Sequence, residues 1–252
     1  MHRVVIAAGL FLATAEIARA ADCPGQDVAD QQGDGAFNSL TDGQPGSPLT
    51  PQVTALPSYD FAEKDFQNQF SFSGVPAKTG FFCQAQFALI IPTLNSGEGL
   101  IDFEKSVGAS WQQRWFTDNG KAPTFSTLVS TQIPYDQPGK KVDLVFTAIL
   151  AKSTNWGAFY LNGFVESTDG VDFDQADFGA VAGIKRIIND NLALFGDAVI
   201  YEGGAYSFEL SLERDFDNGL SLGPGIALSL PGNGDYDLDI SLGVNISKTF
   251  GN

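Results

Sequence analysis

Residue types that act as nucleophiles, general bases or soft metal ligands are scarce in this 252-residue sequence. Its single histidine is His2, and its two cysteines are Cys23 and Cys83. A serine triad, a cysteine–histidine pair and a histidine-ligated zinc site each need a histidine in the folded chain. Because we expect the segment that contains His2 to be removed, the sequence predicts a protein that is not an enzyme, with no catalytic residue, metal site or cofactor.

Carboxylates are the one chemically active group present in excess. Asp and Glu number 30 against 14 Lys and Arg, which gives a formal net charge of −16. A general nucleic-acid binder is excluded, because phosphate neutralisation needs basic residues. Acidic clusters at 169–177, 215–217 and 235–239 offer oxygen ligands of the kind Ca²⁺ prefers, but their spacing does not match an EF-hand loop. We interpret them as solvated loop charge.

The first twenty residues have the composition of a secretory signal peptide. A basic start at residues 1–3 precedes an apolar run from Val4 to Ala15, and Ala18-Arg19-Ala20 fits the small-x-small cleavage rule. An apolar run of about a dozen residues is too short to span a bilayer, which needs ~20. We therefore predict that residues 1–20 are a signal peptide and that the chain is exported.

Residues 21–52 are rich in Gly, Pro, Asp, Gln and Ser, and we predict a flexible N-terminal extension. Export to an oxidising compartment allows a disulfide between Cys23 and Cys83, which would hold this extension against the body of the protein. Two unpaired thiols are the alternative.

The elements that must position the remaining charged residues are strands. Near the C-terminus, Leu238, Ile240, Leu242 and Val244 alternate with small or polar residues. A β-strand sends these two sets to opposite faces. The same alternation recurs in eleven segments that turn signals such as Asn-Gly separate. These segments are 65–75, 79–92, 103–117, 124–133, 141–152, 156–167, 175–187, 191–202, 205–214, 219–230 and 235–250. A weaker candidate at 53–61 makes twelve.

Strand length and the chemistry of the second face favour a membrane barrel over a soluble sandwich. The segments run about 10–16 residues, whereas strands of soluble domains average about 5–6 and tilted membrane strands need ~9–11. The face opposite the apolar one is small and polar, which suits a lumen better than the interior between two sheets. Aromatic residues lie near strand ends, as in interfacial girdles. We predict an all-β fold, an antiparallel transmembrane β-barrel of about 12 strands over residues 53–252.

Eight charged residues share the parity of the small polar face, and in a barrel they would line the lumen. They are Arg114, Asp143, Lys185, Asp197, Glu209, Glu213, Asp237 and Asp239. Six of the eight are acidic, which predicts a cation preference if the lumen is open. The alternative is that they pair with each other and fill a narrow lumen.

The last strand resembles the C-terminal assembly signal of outer-membrane proteins, which ends on an aromatic residue. The matching residues are Leu242, Val244, Ile246 and Phe250. This resemblance implies a place in the cell outer membrane, with the lipid bilayer and the outer-membrane assembly machinery as partners.

Several short motifs resemble the outer-membrane family named for a "MetA-pathway of phenol degradation". They are Trp115-Phe116-Thr117-Asp118-Asn119-Gly120 leading to Phe125, Gln132-Ile133-Pro134, and Leu161-Asn162-Gly163 after Trp156. The resemblance covers about residues 100–250. It implies a barrel of about twelve strands that passes small hydrophobic or aromatic compounds, and it supplies no catalytic residue.

Three functions fit the sequence. The first is an outer-membrane channel or transporter for small solutes. The second is a structural or surface-adhesion barrel with a filled lumen. The third is a soluble secreted β-protein that binds a ligand.

Overall fold

A computed structural model describes most of the chain from residue 52 onward. The described ranges are 52–61, 64–74, 85–95, 102–103, 106–116, 121–134, 142–167, 176–230 and 238–250. The predicted signal peptide, the extension, both cysteines and Asp237 lie outside them. Within these ranges no helix is long and apolar enough to cross a membrane.

Thirteen strands are defined in the described residues, and consecutive strands pair in antiparallel fashion. Their bounds are β1 Gln52–Asp60, β2 Asp65–Gly74, β3 Ala85–Asn95, β4 Asp102–Phe103, β5 Ser106–Phe116, β6 Thr124–Pro134, β7 Asp143–Ser153, β8 Ala158–Ser167, β9 Asp177–Asn189, β10 Leu192–Tyr201, β11 Tyr206–Asp215, β12 Leu220–Leu230 and β13 Asp239–Thr249. The two-residue β4 pairs with the end of β3 and continues the line of β5, which pairs with the rest of β3.

The first strand pairs with the last, so the sheet closes into a barrel. β1 runs antiparallel to β13 with Val53 opposite Lys248 and Tyr59 opposite Leu242. Closure removes the unpaired strand edges that an open sheet would expose. Without β4, twelve described strands form the barrel, and this confirms the predicted fold class and strand number, including the weaker candidate at 53–61.

Burial alternates along each strand in the phase that the sequence pattern predicts. On β11, Phe208 and Leu210 are 53% and 52% exposed, whereas Ser211 and Glu213, on the other face, are each 5% exposed. Large apolar side chains therefore point outward, and small or polar ones point inward. A soluble sandwich buries its apolar face, so this inversion argues against a soluble protein and is typical of a barrel in lipid.

Two local features depart from the simple pattern. The predicted segment 79–92 corresponds to β3, which is described from Ala85 and continues to Asn95, three residues beyond the predicted end. In β5 the register shifts between Arg114 and Phe116, so that Phe116 pairs with Phe125 on the outward face. A bulge of this kind changes the phase of the residues that follow it.

The barrel has two different ends. At the termini end, where β1 begins and β13 finishes, short turns 154–157, 190–191 and 216–219 connect strands. Asn side chains close two of these turns: Asn189 Oδ1 accepts a hydrogen bond from Asn191 N at 3.0 Å, and Asn218 Oδ1 accepts one from Leu220 N at 3.0 Å. The opposite end, which we call the loop end, includes the connections 61–64 and 202–205.

Candidate functional site in the barrel lumen

Seven of the eight lumen residues selected from the sequence lie on inward-facing positions. The described members are Arg114 on β5, Asp143 on β7, Lys185 on β9, Asp197 on β10, Glu209 and Glu213 on β11, and Asp239 on β13. Each has the parity of the buried or half-buried residues of its strand. The eighth, Asp237, falls outside the described residues.

Acidic residues are directly opposite each other in three described strand pairs, of which the Asp60–Asp65 pair joins β1 and β2. Asp197 on β10 is directly opposite Glu209 on β11, and Glu166 on β8 is directly opposite Asp177 on β9. Directly opposed side chains have Cβ atoms ~4.5–5.5 Å apart, and like charges at that distance destabilise a sheet. Because such pairs destabilise the sheet, we expect the opposed carboxylates to serve the function of the lumen.

Glu166 was not among the residues that the sequence analysis named, and Asp177 was assigned to the acidic cluster 169–177, interpreted there as solvated loop charge. Both have the inward parity of their strands and stand at strand ends. Continuing the period-two pattern of β8 and β9 by one more inward position would have placed both residues on the lumen face. Only the β8–β9 register brings the two carboxylates together.

Inward-facing acidic residues are most numerous near the loop end, and Glu213 and Asp215 lie toward the termini end. Asp60, Asp143, Glu166, Asp177 and Asp239 lie near the loop end, where Ser241 Oγ donates to Asp60 Oδ2 at 3.3 Å. Among the described residues, the inward-facing bases are Arg114 and Lys185, and both lie toward the termini end. The lumen is therefore acidic at one mouth and carries its basic groups farther along.

A layer of buried side chains narrows the half of the lumen toward the termini end. Because the strands of a barrel are tilted, residues that lie at the same depth are not the residues that pair directly with each other. Allowing for this offset, six inward residues from six strands lie close to one depth: Gln112, Ser126, Ile149, Tyr160, Phe195 and Glu213. All are nearly inaccessible to water, with Phe195 only 1% exposed.

Lys185 belongs to this layer. Its Nζ lies 5.0 Å from the centre of the Phe195 ring. Phe195 also packs with Tyr160, Val181 and Val199 in an apolar cluster that faces inward from β8, β9 and β10. Sequence parity places Phe195 on the same face as Asp197, but an apolar ring has no charge that would mark it as a lumen residue.

The loop end is aromatic, and its side chains are more exposed than those of the buried layer. Phe164 and Tyr201 face inward from β8 and β10, with ring centres 5.5 Å apart in an edge-to-face arrangement. Gly179 lies between them on β9, and a Cβ there would overlap the Phe164 ring. Tyr201 remains 41% exposed, in contrast to the buried layer below it.

Oδ1 of Asp143 and Nε2 of Gln112 are among the buried, inward polar atoms that make no hydrogen bond within the described residues. Buried polar atoms are normally paired, so each can bind a polar group in the lumen. The described residues contain no group of three or more His, Cys, Asp or Glu that could hold a metal ion.

Three residues of the C-terminal motif, Leu242, Val244 and Ile246, lie on the outward face of β13, and Phe250 follows the end of the strand. Leu242 and Ile246 are among the exposed apolar residues, and Phe250 ends the described chain at the termini end. β13 pairs with both β12 and β1, so this strand closes the barrel.

Solved structures with this architecture are outer-membrane proteins. An outer membrane channel from Pseudomonas putida F1 matches with a TM-score of 0.58 at 12% identity, over 83% of this chain and 98% of that one. The NanC porin matches with a TM-score of 0.56 at 10% identity, over 78% and 98%. The KdgM porin matches with a TM-score of 0.53 at 6% identity, over 79% and 99%.

This is the fold of outer-membrane β-barrels. Identities this low establish the fold and leave function to the lumen itself. No family model matches the chain, and no curated protein matches it. The resemblance to the phenol-degradation family therefore stays a prediction.

Proposed function

We propose that the chain is an outer-membrane channel for small solutes, with a narrow lumen that prefers cations. The observation that carries the proposal is the lumen's loop end, where opposed carboxylates line a mouth that stays accessible. Rings of carboxylates favour cations, and a low-dielectric wall strengthens their field. The bases Arg114 and Lys185 lie farther along the lumen, so cations would concentrate at the mouth first.

The aromatic pair at the loop end supports a finer proposal about the solute. Phe164 and Tyr201 present ring faces and edges beside Glu166. Such a lining suits small hydrophobic or aromatic compounds, the class that the family resemblance implies. The buried layer around Phe195 would then be the barrier that a solute must displace.

Export and assembly complete the proposal. Residues 1–20 would direct the chain across the inner membrane, and the outer-membrane assembly machinery would recognise the last strand through Leu242, Val244, Ile246 and Phe250. The partners are then the bilayer and a small solute, and the protein is not an enzyme.

Conductance in planar bilayers tests the channel. The purified, folded protein should give discrete low-conductance openings, and the reversal potential in a KCl gradient should indicate cation selectivity. Changing Asp197→Asn together with Glu209→Gln should reduce the cation preference, because both carboxylates face the lumen. The matched control is Asp190→Asn with Asp217→Asn, which removes two charges from exposed turns. Anion selectivity in the wild type would contradict the proposal.

A barrel with a filled lumen is the second candidate, and the buried layer favours it. In this case the wild type gives no conductance. Measuring the conductance of Phe195→Ala distinguishes the two candidates. In a channel, removing the ring opens a gap in the buried layer, and the conductance should rise. If neither the wild type nor this variant conducts, the protein is a structural barrel.

A further inference from the structure

Besides Lys152 on β7, three basic residues of the described strands lie on the outward face of the barrel near the termini end. They are Arg186 on β9, Arg214 on β11 and Lys248 on β13. By parity they share the face of Ile184, Leu212 and Ile246, which is the lipid-facing one. We call these three residues the basic belt.

Each member of the basic belt is held beside a turn of the termini end. The Arg186 guanidinium carbon lies 4.8 Å from the centre of the Trp156 ring, and that of Arg214 lies 5.3 Å from the centre of the Phe216 ring. Lys248 Nζ donates to the backbone oxygen of Asn218. Stacking on a ring orients a guanidinium while leaving its N–H donors available.

The turn that carries Trp156 is docked against β9. A Cβ on Gly157 would overlap the backbone oxygen of Lys185, so a larger residue would push this turn away. Trp156 also stacks on Phe159, with ring centres 6.1 Å apart. Packing of the turn against β9 and stacking of Trp156 on Phe159 therefore hold in place the ring beside which the Arg186 guanidinium lies.

The basic belt lies at one depth. Through pairing across β10, Arg186 is level with Leu212, and through β12, Arg214 is level with Ile246. Arg214 and Lys248 are thus each two residues nearer the termini end than strict pairing would place them. A strand tilt of ~35–45° shifts a line of constant depth by about two residues over two strands. The tilt accounts for the offset.

The spacing along the belt also matches a row of lipids. The three residues occupy alternate strands, and strands are ~4.8 Å apart, so at a tilt of ~35–45° neighbouring members are about 12–14 Å apart around the barrel. That distance is on the scale of adjacent lipid headgroups. Each cation can therefore meet a different headgroup.

The Arg186 and Arg214 side chains form no ion pair with any described carboxylate; their recorded contacts are the two aromatic rings. Toward the loop end, the outward positions of the described strands carry no Lys or Arg, and Lys64 lies in the 61–64 turn. Free guanidinium donors at an interface pair well with phosphate oxygens, and Arg can bind them through two parallel hydrogen bonds.

We infer that the basic belt binds the phosphate groups of anionic phospholipids in the leaflet at the termini end. The aromatic rings of Trp156 and Phe216 sit at headgroup level, as amphipathic rings do, and the cations reach past them toward phosphate. This inference does not depend on whether the lumen conducts.

Fluorescence quenching by brominated lipids tests the inference. Trp111→Phe and Trp115→Phe leave Trp156 as the sole tryptophan of the chain. In phosphatidylcholine vesicles that contain brominated phosphatidylglycerol or brominated phosphatidylcholine, quenching of Trp156 reports the relative binding constant of the two lipids. We expect phosphatidylglycerol to be favoured about fivefold for each basic residue engaged at low salt. The preference should fall toward one at 1 M NaCl, because salt screens the attraction.

The double variant Arg186→Gln with Arg214→Gln should lose most of this preference, and Lys64→Gln, with a base removed from the other end, should keep it. Native mass spectrometry of the wild type from mixed-lipid nanodiscs gives a second measurement that needs no variant, with phosphatidylglycerol retained over phosphatidylcholine. Equal binding of the two lipids, a preference insensitive to salt, or an equal loss in Lys64→Gln would overturn the inference.

Discussion

Lys185 and Phe195 stand directly opposite each other on β9 and β10, and the Lys185 ammonium lies over the Phe195 ring at 5.0 Å. Both side chains are nearly buried although they face the lumen. A desolvated cation over an aromatic ring gains ~2 kcal/mol. This pair combines the barrier of the proposed channel with one of the two bases that face inward among the described residues.

Phe195→Ala should destabilise the barrel and increase its conductance. Removing a buried aromatic ring costs ~3–5 kcal/mol where the site cannot collapse. The same gap widens the lumen at its narrowest layer. Thermal unfolding in detergent and single-channel recording measure the two effects. Phe195→Leu, which keeps most of the volume, should show less of both; similar conductance in all three proteins would place the barrier elsewhere.

The outward face should reject charge at mid-strand. Leu210→Arg should cost roughly 2–4 kcal/mol if the residue lies near the bilayer midplane, and Val244→Arg should behave alike. Glu209→Arg, one position from Leu210 and facing inward, should be much milder. Unfolding free energies in lipid vesicles give the comparison. Equal losses at positions 209 and 210 would mean that the two faces are assigned wrongly.

Gly179→Ala should disturb the aromatic mouth. The new Cβ would overlap the Phe164 ring, which must move and so lose its contact with Tyr201. Forced repacking of this kind costs ~1–3 kcal/mol. Gly163→Ala is the matched control, because a Cβ there has no atom within 4 Å. Unfolding of both variants by heat is the measurement, and equal stability would show that Phe164 has room to shift.

Phe250→Ala should lower the fraction of folded, heat-modifiable barrel in membranes, if Phe250 forms part of the assembly signal. Deleting Gly251 and Asn252 should leave that fraction unchanged. The gel shift between heated and unheated membrane samples measures it. A defect in the deletion variant alone would place the signal at the last two residues.

Much of the fold can be read from the alternation of residue types. The phase of Phe208, Glu209, Leu210 and Ser211 assigns each to a face, because successive side chains of a strand point in opposite directions. The length of the strands then indicates that the apolar face contacts lipid. Closure by the weak strand at 53–61 followed from the even strand number of single-chain barrels.

What the tertiary structure decided is which residues meet. A period-two pattern gives a face but no register, so it could place Glu166 and Asp177 on the inner wall without making them neighbours. It also could not give depth, because depth depends on strand tilt and on the accumulated register of many strands. The buried layer around Phe195 and the constant depth of Arg186, Arg214 and Lys248 arise only when the barrel closes, since closure fixes every strand's offset against the next.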